Sequence, residues 1–283
     1  MHDHHGHDHD LEHCTHENHR RDNHAPRAQH GRHVHNNASI LVLRPYTGIS
    51  GDIMVAGLAR MQDATPDLLE EMIASVGMAE LGGCLSLKPH TVQSVTGWQA
   101  SVSLPHEHSH RTYADILRII TSSSMTEEAK FLAGKAFALI AEAEGAVHGK
   151  SADEVSFHEV GALDSILDVC LAAVLFDRLK PDLFLCGPLP LCDGAIHCAH
   201  GKLPSPAPAT MRLLRDIPVY GIPTTGETIT PTGIALLRAF GASYGMWPAM
   251  TIREEATIYG SRVFENVPNG AIFAYGQGIV KPA

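Results

Sequence analysis

His158, Glu159, Asp164 and Asp168 all fall in the twelve-residue run Phe157-His158-Glu159-Val160-Gly161-Ala162-Leu163-Asp164-Ser165-Ile166-Leu167-Asp168. An imidazole and three carboxylates stand beside a small-residue turn, directly ahead of a strongly apolar segment. That is an unusual place to leave so much charge. Nitrogen and oxygen donors of this kind suit a divalent ion of borderline hardness such as nickel, cobalt or zinc. The competing account is structural: acids near a helix start complement its positive end, and His158 is then a satisfied framework residue. Spacing alone does not separate the two.

Other stretches carry donors of the same class. His106, His108 and His110 continue the even-numbered parity of Val92, Trp98, Ala100, Val102 and Leu104, the period of a half-buried strand. An extended backbone past Pro105 would project three imidazoles to one side, enough for the protein face of a metal site; a break at Pro105 would leave a surface loop of histidines. Arg111 follows, placed to hold a carboxylate or phosphate. His197 and His200 flank Cys198 and Ala199, and an i, i+3 pair can ligate a metal, although Gly201, Pro204, Pro206 and Pro208 predict a shaped loop there. Thr47, Gly48, Ser50, Gly51 and Asp52 join an apolar run to a helical pattern, and a glycine turn before a helix presents free N–H groups to an anion. Asp52 is either a cap of that helix or a metal ligand.

The elements that must position these residues are legible from periodicity. Ser39–Arg44 is an apolar run suited to a buried strand, followed by a helix through Met61. Pro66–Val76 reads as a second amphipathic helix, and Cys84–Leu104 as two strands. Thr112 with Asp115 forms a capping-box-like pair, and an Ala-rich pattern from Thr126 to about Gly145 makes a long helix closed by His148 and Gly149. Val160, Leu163, Leu167, Cys170, Leu171 and Val174 recur every three to four residues, so a helix should start near Val160 or Gly161 and reach about Leu179. Asp164 and Asp168 then share one face. Asp182–Leu191 gives a short strand and a proline-bounded loop, Pro206 or Pro208 opens a helix through Leu214, and Thr230-Pro231 opens another, with Thr230 as cap and Glu227 facing water. Thr251–Phe273 suggests closing strands. The alternation predicts an α/β or α+β domain, a mixed sheet with several packed helices. Strand order is not readable.

The run FHEVGALDSILD, with PYTGISGDIM, HSHRTYADI, GPLPL, HCAHGKLPSPAPAT and GETITPTGIALL, resembles the N-terminal part of the LarC nickel-insertion family. The likeness is ordered and covers roughly Ile40 to Tyr275. It implies insertion of nickel into a pyridinium mononucleotide bearing two thiocarboxylates, with nickel–sulfur bonds and a nickel–carbon bond, to give the pincer cofactor of lactate racemase-type enzymes. CTP is consumed in the family reaction, a lyase-type, metallochelatase-like step, and the apo form of a nickel-pincer enzyme receives the product. A base must remove the ring proton while the metal arrives, so ligands and base should adjoin. On that footing His106, His108, His110, His158, Glu159, Asp164 and His200 are the expected nickel ligands, and Asp168 or Glu159 the base. Thr47, Gly48, Ser50, Gly51, Asp52 and Arg111 would take the substrate's phosphate or carboxyl groups. These roles follow from side-chain chemistry; the likeness supports location only.

Composition bounds the rest. The 283 residues can bury a sizeable core. A net charge of -10 argues against a nucleic-acid partner, and no apolar stretch approaches the length of a membrane span. Six cysteines without a paired CxxC spacing indicate neither a disulfide framework nor a thiolate zinc site, so a soluble cytoplasmic protein is expected. Residues 1–38 hold twelve of the twenty histidines and almost no apolar residues. This segment is expected to be a disordered metal-binding tail, with residues 39–283 as the nickel-insertion domain. A purification tag is the alternative, but the interspersed acids and arginines do not resemble a plain His run.

Family members continue into a C-terminal nucleotide-binding domain, expected to be absent after Ala283, and Tyr259-Gly260-Ser261-Arg262 stands where the family tends to be richer in glycine. The chain is thus expected to be the first subunit of a split enzyme, paired with a separate C-terminal subunit for CTP, or a reduced member that only holds nickel. Three functions compete: nickel insertion, a non-catalytic nickel chaperone or store, and, last, a metal-dependent hydrolase.

Overall fold

A computed structural model describes residues 37–104, 111–157, 160–198 and 201–279. Strand β1 (Ser39–Pro45) is buried from Ile40 onward, as its apolar run requires, and leads through a glycine turn into helix α1 (Gly51–Arg60). Helix α2 (Pro66–Ser75) starts with Pro66 behind Thr65, whose hydroxyl accepts the Leu68 N–H. The hairpin β2 (Leu85–Val92) and β3 (Val95–Val102) follows. Strand β4 (Arg111–Thr112) then enters α3 (Tyr113–Ser122), where Thr112 and Asp115 form the expected reciprocal capping box. Helix α4 (Glu127–His148) ends at Gly149, in the left-handed region at φ 67°, a C-terminal stop that favours glycine.

Strand β5 (Ser156–Phe157) pairs with β4 and precedes the central helix, α5 (Leu163–Leu179). The helix begins two to three residues later than periodicity predicts, because Val160 and Gly161 are used in a turn whose Gly161 carbonyl accepts the Arg111 guanidinium. From Ile166 to Leu175 it is buried on nearly every side, the mark of a helix inside a layer and not on its surface. Next come β6 (Leu183–Cys186), β7 (Leu189–Asp193), the hairpin β8 (Ala195–Cys198) with β9 (Gly201–Pro204), and α6 (Pro208–Leu213). The shaped loop predicted around His197 is this hairpin. Strand β10 (Val219–Thr225), helix α7 (Pro231–Ala239), capped by Thr230, and strands β11 (Ser243–Tyr244), β12 (Met250–Ile258) and β13 (Ala271–Gly278) complete the order.

Among the described residues the main sheet has seven strands, in the order β11-β6-β1-β13-β12-β3-β2. It is mixed: β1 runs parallel to β6 and antiparallel to β13. Side chains alternate across it. Leu41 and Leu43 join α1, α4, α5 and α7 in the principal core, whereas Ile40, Val42 and Ala274 form a small second cluster on the other face. The fold is therefore an α/β arrangement with its helices gathered mainly on one side. No helix among the described residues is long and apolar enough to cross a membrane.

Candidate functional site

The first turn of α1 is pressed between two neighbours that leave no room for side chains. Gly48 lies at φ 135°, and a Cβ there would sit 1.5 Å from the Thr228 carbonyl oxygen. Ile49 N–H donates to that carbonyl at 3.1 Å, and Thr230 N–H returns a bond to the Ile49 carbonyl at 3.0 Å. A Cβ on Gly51 would approach the Asp168 carboxyl to 2.5 Å. The glycines read as a phosphate turn thus allow two segments to close on the helix start, bringing α1 against α5.

This contact forms one wall of a cavity of about 890 Å³, within the range of small-molecule sites. Thr47 and Ser50 from the turn before α1 and Gly51 and Asp52 from its start line it, with Asp164, Ser165 and Asp168 from α5, and Glu144 and His148 from the end of α4. Gln99 and Ser101 come from β3, Glu227, Thr228, Thr230 and Thr232 from the approach to α7, and Arg262 and Phe264 from the segment between β12 and β13.

The electrostatics of the wall are dominated by carboxyl groups. Asp52 accepts a hydrogen bond from the Ser50 hydroxyl, and burial raises its pKa despite that bond and those from backbone N–H groups. Asp168 goes further. Its Oδ1 is shut off from solvent with no hydrogen-bond partner, and burial first, then the charges of Asp52 and Asp164, raise its pKa well above the carboxylate range. Two ionised carboxylates in such a place repel strongly, so burial and its neighbours both favour the protonated form of Asp168. Asp164 is exposed on the same helix face, its Oδ1 accepting the Ser165 N–H at 2.7 Å. Across the cavity, His148 Nε2 lies 3.4 Å from a Glu144 carboxyl oxygen.

The expected site residues are thereby partly placed. Asp164 and Asp168 do share a face, and Asp52 joins them. Thr47 lines the cavity while its hydroxyl accepts the Gly270 N–H at 2.8 Å. Arg111 is outside the cavity lining: it donates to the Gly161 carbonyl at 2.8 Å and borders a separate depression with Asp115 and Arg118. His106, His108, His110, His158, Glu159 and His200 lie outside the described residues, as does residues 1–36 of the histidine-rich tail. Among the described residues no three His, Cys, Asp or Glu side chains are already gathered to hold a metal ion. Glu227, read as facing water, instead lines the cavity and is half-buried. His148, read only as a helix end, does so too. Arg262, Phe264 and Gln99 were not singled out for chemistry, because nothing local marks a side chain brought in by a distant strand.

Comparison with known proteins identifies the family. The family described as nickel insertion protein matches residues 41–275. A relative from Syntrophotalea carbinolica is 40% identical over 231 residues, covering 82% of this chain and 58% of its own length. The pyridinium-3,5-bisthiocarboxylic acid mononucleotide nickel insertion proteins of Geobacillus kaustophilus and Staphylococcus epidermidis are 35% and 33% identical, over 81% of this chain in each case. The chain spans 58% and 57% of those two relatives. No solved structure matches it.

Proposed function

The chain belongs to the nickel insertion protein family, and on that premise we propose that it delivers nickel to a pyridinium bisthiocarboxylate mononucleotide held in the cavity between α1 and α5. The observation that carries this reading is the acidic wall: Asp52, Asp164 and Asp168 face one cavity, and a buried oxygen of Asp168 has no partner. An arriving dication substitutes for the proton on Asp168 and relieves the repulsion that raised its pKa. The freed carboxylate then serves as base. It accepts the proton from the ring carbon as that carbon's electron pair bonds to nickel, while the two thiocarboxylate sulfurs form the flanking bonds. His106, His108, His110, His158, Glu159 and His200 complete the nickel's ligands in this proposal, with Asp164 as the described member of the set.

The product is the pincer cofactor of lactate racemase-type enzymes, passed to an apo enzyme. CTP is used by a nucleotide-binding region supplied from outside the matched residues, in the same chain or a second subunit. Cys84, Cys170, Cys186 and Cys192 are free thiols, in keeping with a reducing compartment, so the reaction is assigned to the cytoplasm. A second reading, a nickel carrier without chemistry, draws on residues 1–38, which hold twelve of the twenty histidines.

Incubating the chain with nickel, precursor and CTP, with and without a candidate second subunit, separates the two. Insertion predicts a pincer product that disappears in Asp164→Ala and Asp168→Asn. Product at the wild-type rate from both variants removes these carboxylates from the reaction, and nickel uptake that depends on residues 1–38 with no pincer formed in either arrangement puts the carrier reading in its place.

A further inference from the structure

Resting on that reading, the cavity must also meet the substrate's phosphate, and its acidic wall is poorly suited to do so. The N-terminus of α1, the first candidate, is already served: the Asp52 carboxyl accepts the Ser50 hydroxyl and backbone N–H groups of the first turn, and Asp168 stands against Gly51. A phosphate there would face two carboxyl groups. Among the described residues lining the cavity, Arg262 carries the only guanidinium or ammonium group. It is exposed and makes no hydrogen bond or ion pair among the described residues.

The surroundings of Arg262 are built rather than loose. A Cβ on Gly226 would meet Arg262 Nη1 at 3.7 Å and Phe264 Cε1 at 3.8 Å, so guanidinium and ring lie side by side over that glycine. The Gly226 carbonyl is fixed by the Ser205 hydroxyl at 2.6 Å and the Cys192 thiol at 3.0 Å. Upstream, Gln99 Nε2 donates to the Gly260 carbonyl at 2.7 Å. Downstream, Phe264 N–H donates to Asn269 Oδ1 at 2.8 Å, and Asn269 Nδ2 donates back to the Phe264 carbonyl at 2.7 Å. An uncommitted cation beside an aromatic ring, tied at both ends to the frame, is suited to a phosphate attached to a flat ligand.

We infer that Arg262 binds the 5′-phosphate of the mononucleotide and that Phe264 packs against its ribose or ring face, so that the metal-accepting edge of the ring is turned toward Asp164 and Asp168. Both are positioning residues. The test uses the full chain, titrated calorimetrically with nicotinic acid mononucleotide and with the riboside that lacks its phosphate. The wild-type chain should bind the mononucleotide at least about tenfold tighter, a preference of about 1.4 kcal/mol. Arg262→Gln should shrink that ratio to about threefold or less without changing riboside affinity, Arg262→Lys should restore part of it, and Phe264→Ala should weaken both compounds alike. Unchanged melting temperatures verify folding. If Arg262→Gln keeps the full preference, the phosphate assignment is wrong and nickel insertion stands untouched. If the wild-type chain binds neither compound, the cavity is no mononucleotide site and the reading beneath falls with it.

Discussion

Asp168 and Arg44 are both ionisable side chains carrying buried polar atoms that lack partners, on opposite faces of the same sheet. Arg44 shares the parity of Ile40 and Val42 on β1, away from the principal core that α5 enters. It is 9% exposed, and its Nε and Nη2 have no hydrogen-bond partner. Its Nη1 donates to the Gly245 carbonyl, and its guanidinium sits 5.0 Å from the centre of the Trp247 ring. Burial lowers its pKa, with Cys186 and Tyr46 acting against that shift, yet a guanidinium stays charged in any protein. It must therefore be accommodated by a ring face and a carbonyl. A carboxyl group can shed its charge instead. Asp168 lines a cavity and its surroundings favour the uncharged form, whereas the charge on Arg44 is fixed and walled in. Burial of a charge points to function when the group can titrate and a ligand can reach it.

The largest effect should separate the two sites outright. Asp168→Asn keeps the shape and removes the base proposed above, so nickel insertion should fall by about 100-fold or more, with a melting temperature equal to or above wild type because no buried carboxyl has to be kept uncharged. Near-normal insertion by this variant would reduce Asp168 to the status of Arg44. Next, Arg44→Ala should cost about 2 kcal/mol of stability in chemical denaturation through lost packing under Trp247, while Arg44→Met should stay within about 1 kcal/mol of wild type. Neither should alter insertion beyond the change in folded fraction.

A smaller effect concerns pH. The folded-state pKa of Asp168 is raised, so the folded chain keeps a proton that the unfolded chain releases. Its stabilising contribution is complete below the unfolded value of about 4 and is lost as pH climbs through the folded value, at up to about 1.4 kcal/mol per pH unit. Melting temperature should therefore decline from about pH 5 to about pH 7 more steeply in wild type than in Asp168→Asn. Nickel should stabilise wild type more at the higher pH. The smallest effect is a control with every polar group satisfied: Thr112→Ala, which breaks the α3 capping box, should cost about 1 kcal/mol and leave insertion unchanged.

What the sequence disclosed follows this division between local and distant causes. Thr112 and Thr230 cap helices where their neighbours announce it, Gly149 ends α4, and the apolar spacing of α5 sets Asp164 and Asp168 on one face. Those are determined within a turn or two of chain. Arg44 ends an apolar run and reads as the first polar residue outside it; its burial depends on Trp247, some two hundred positions later. Arg262 likewise lines the cavity only because β12 and β13 set the segment between them there. The family likeness drew attention to these stretches, but no motif could show which glycine admits a carboxylate and which admits a carbonyl.

Strand β13 lies between β1 and β12, joining two parts of the sheet that otherwise share no strand pairing. During synthesis strand β1 must wait through more than two hundred residues before that neighbour emerges from the ribosome. Helix α1 leans on that late strand through Gly57, where a Cβ would strike the Phe273 ring. A nascent chain halted before Ala271 would thus carry Asp52, Asp164 and Asp168 and still lack the strand against which Gly57 of α1 packs.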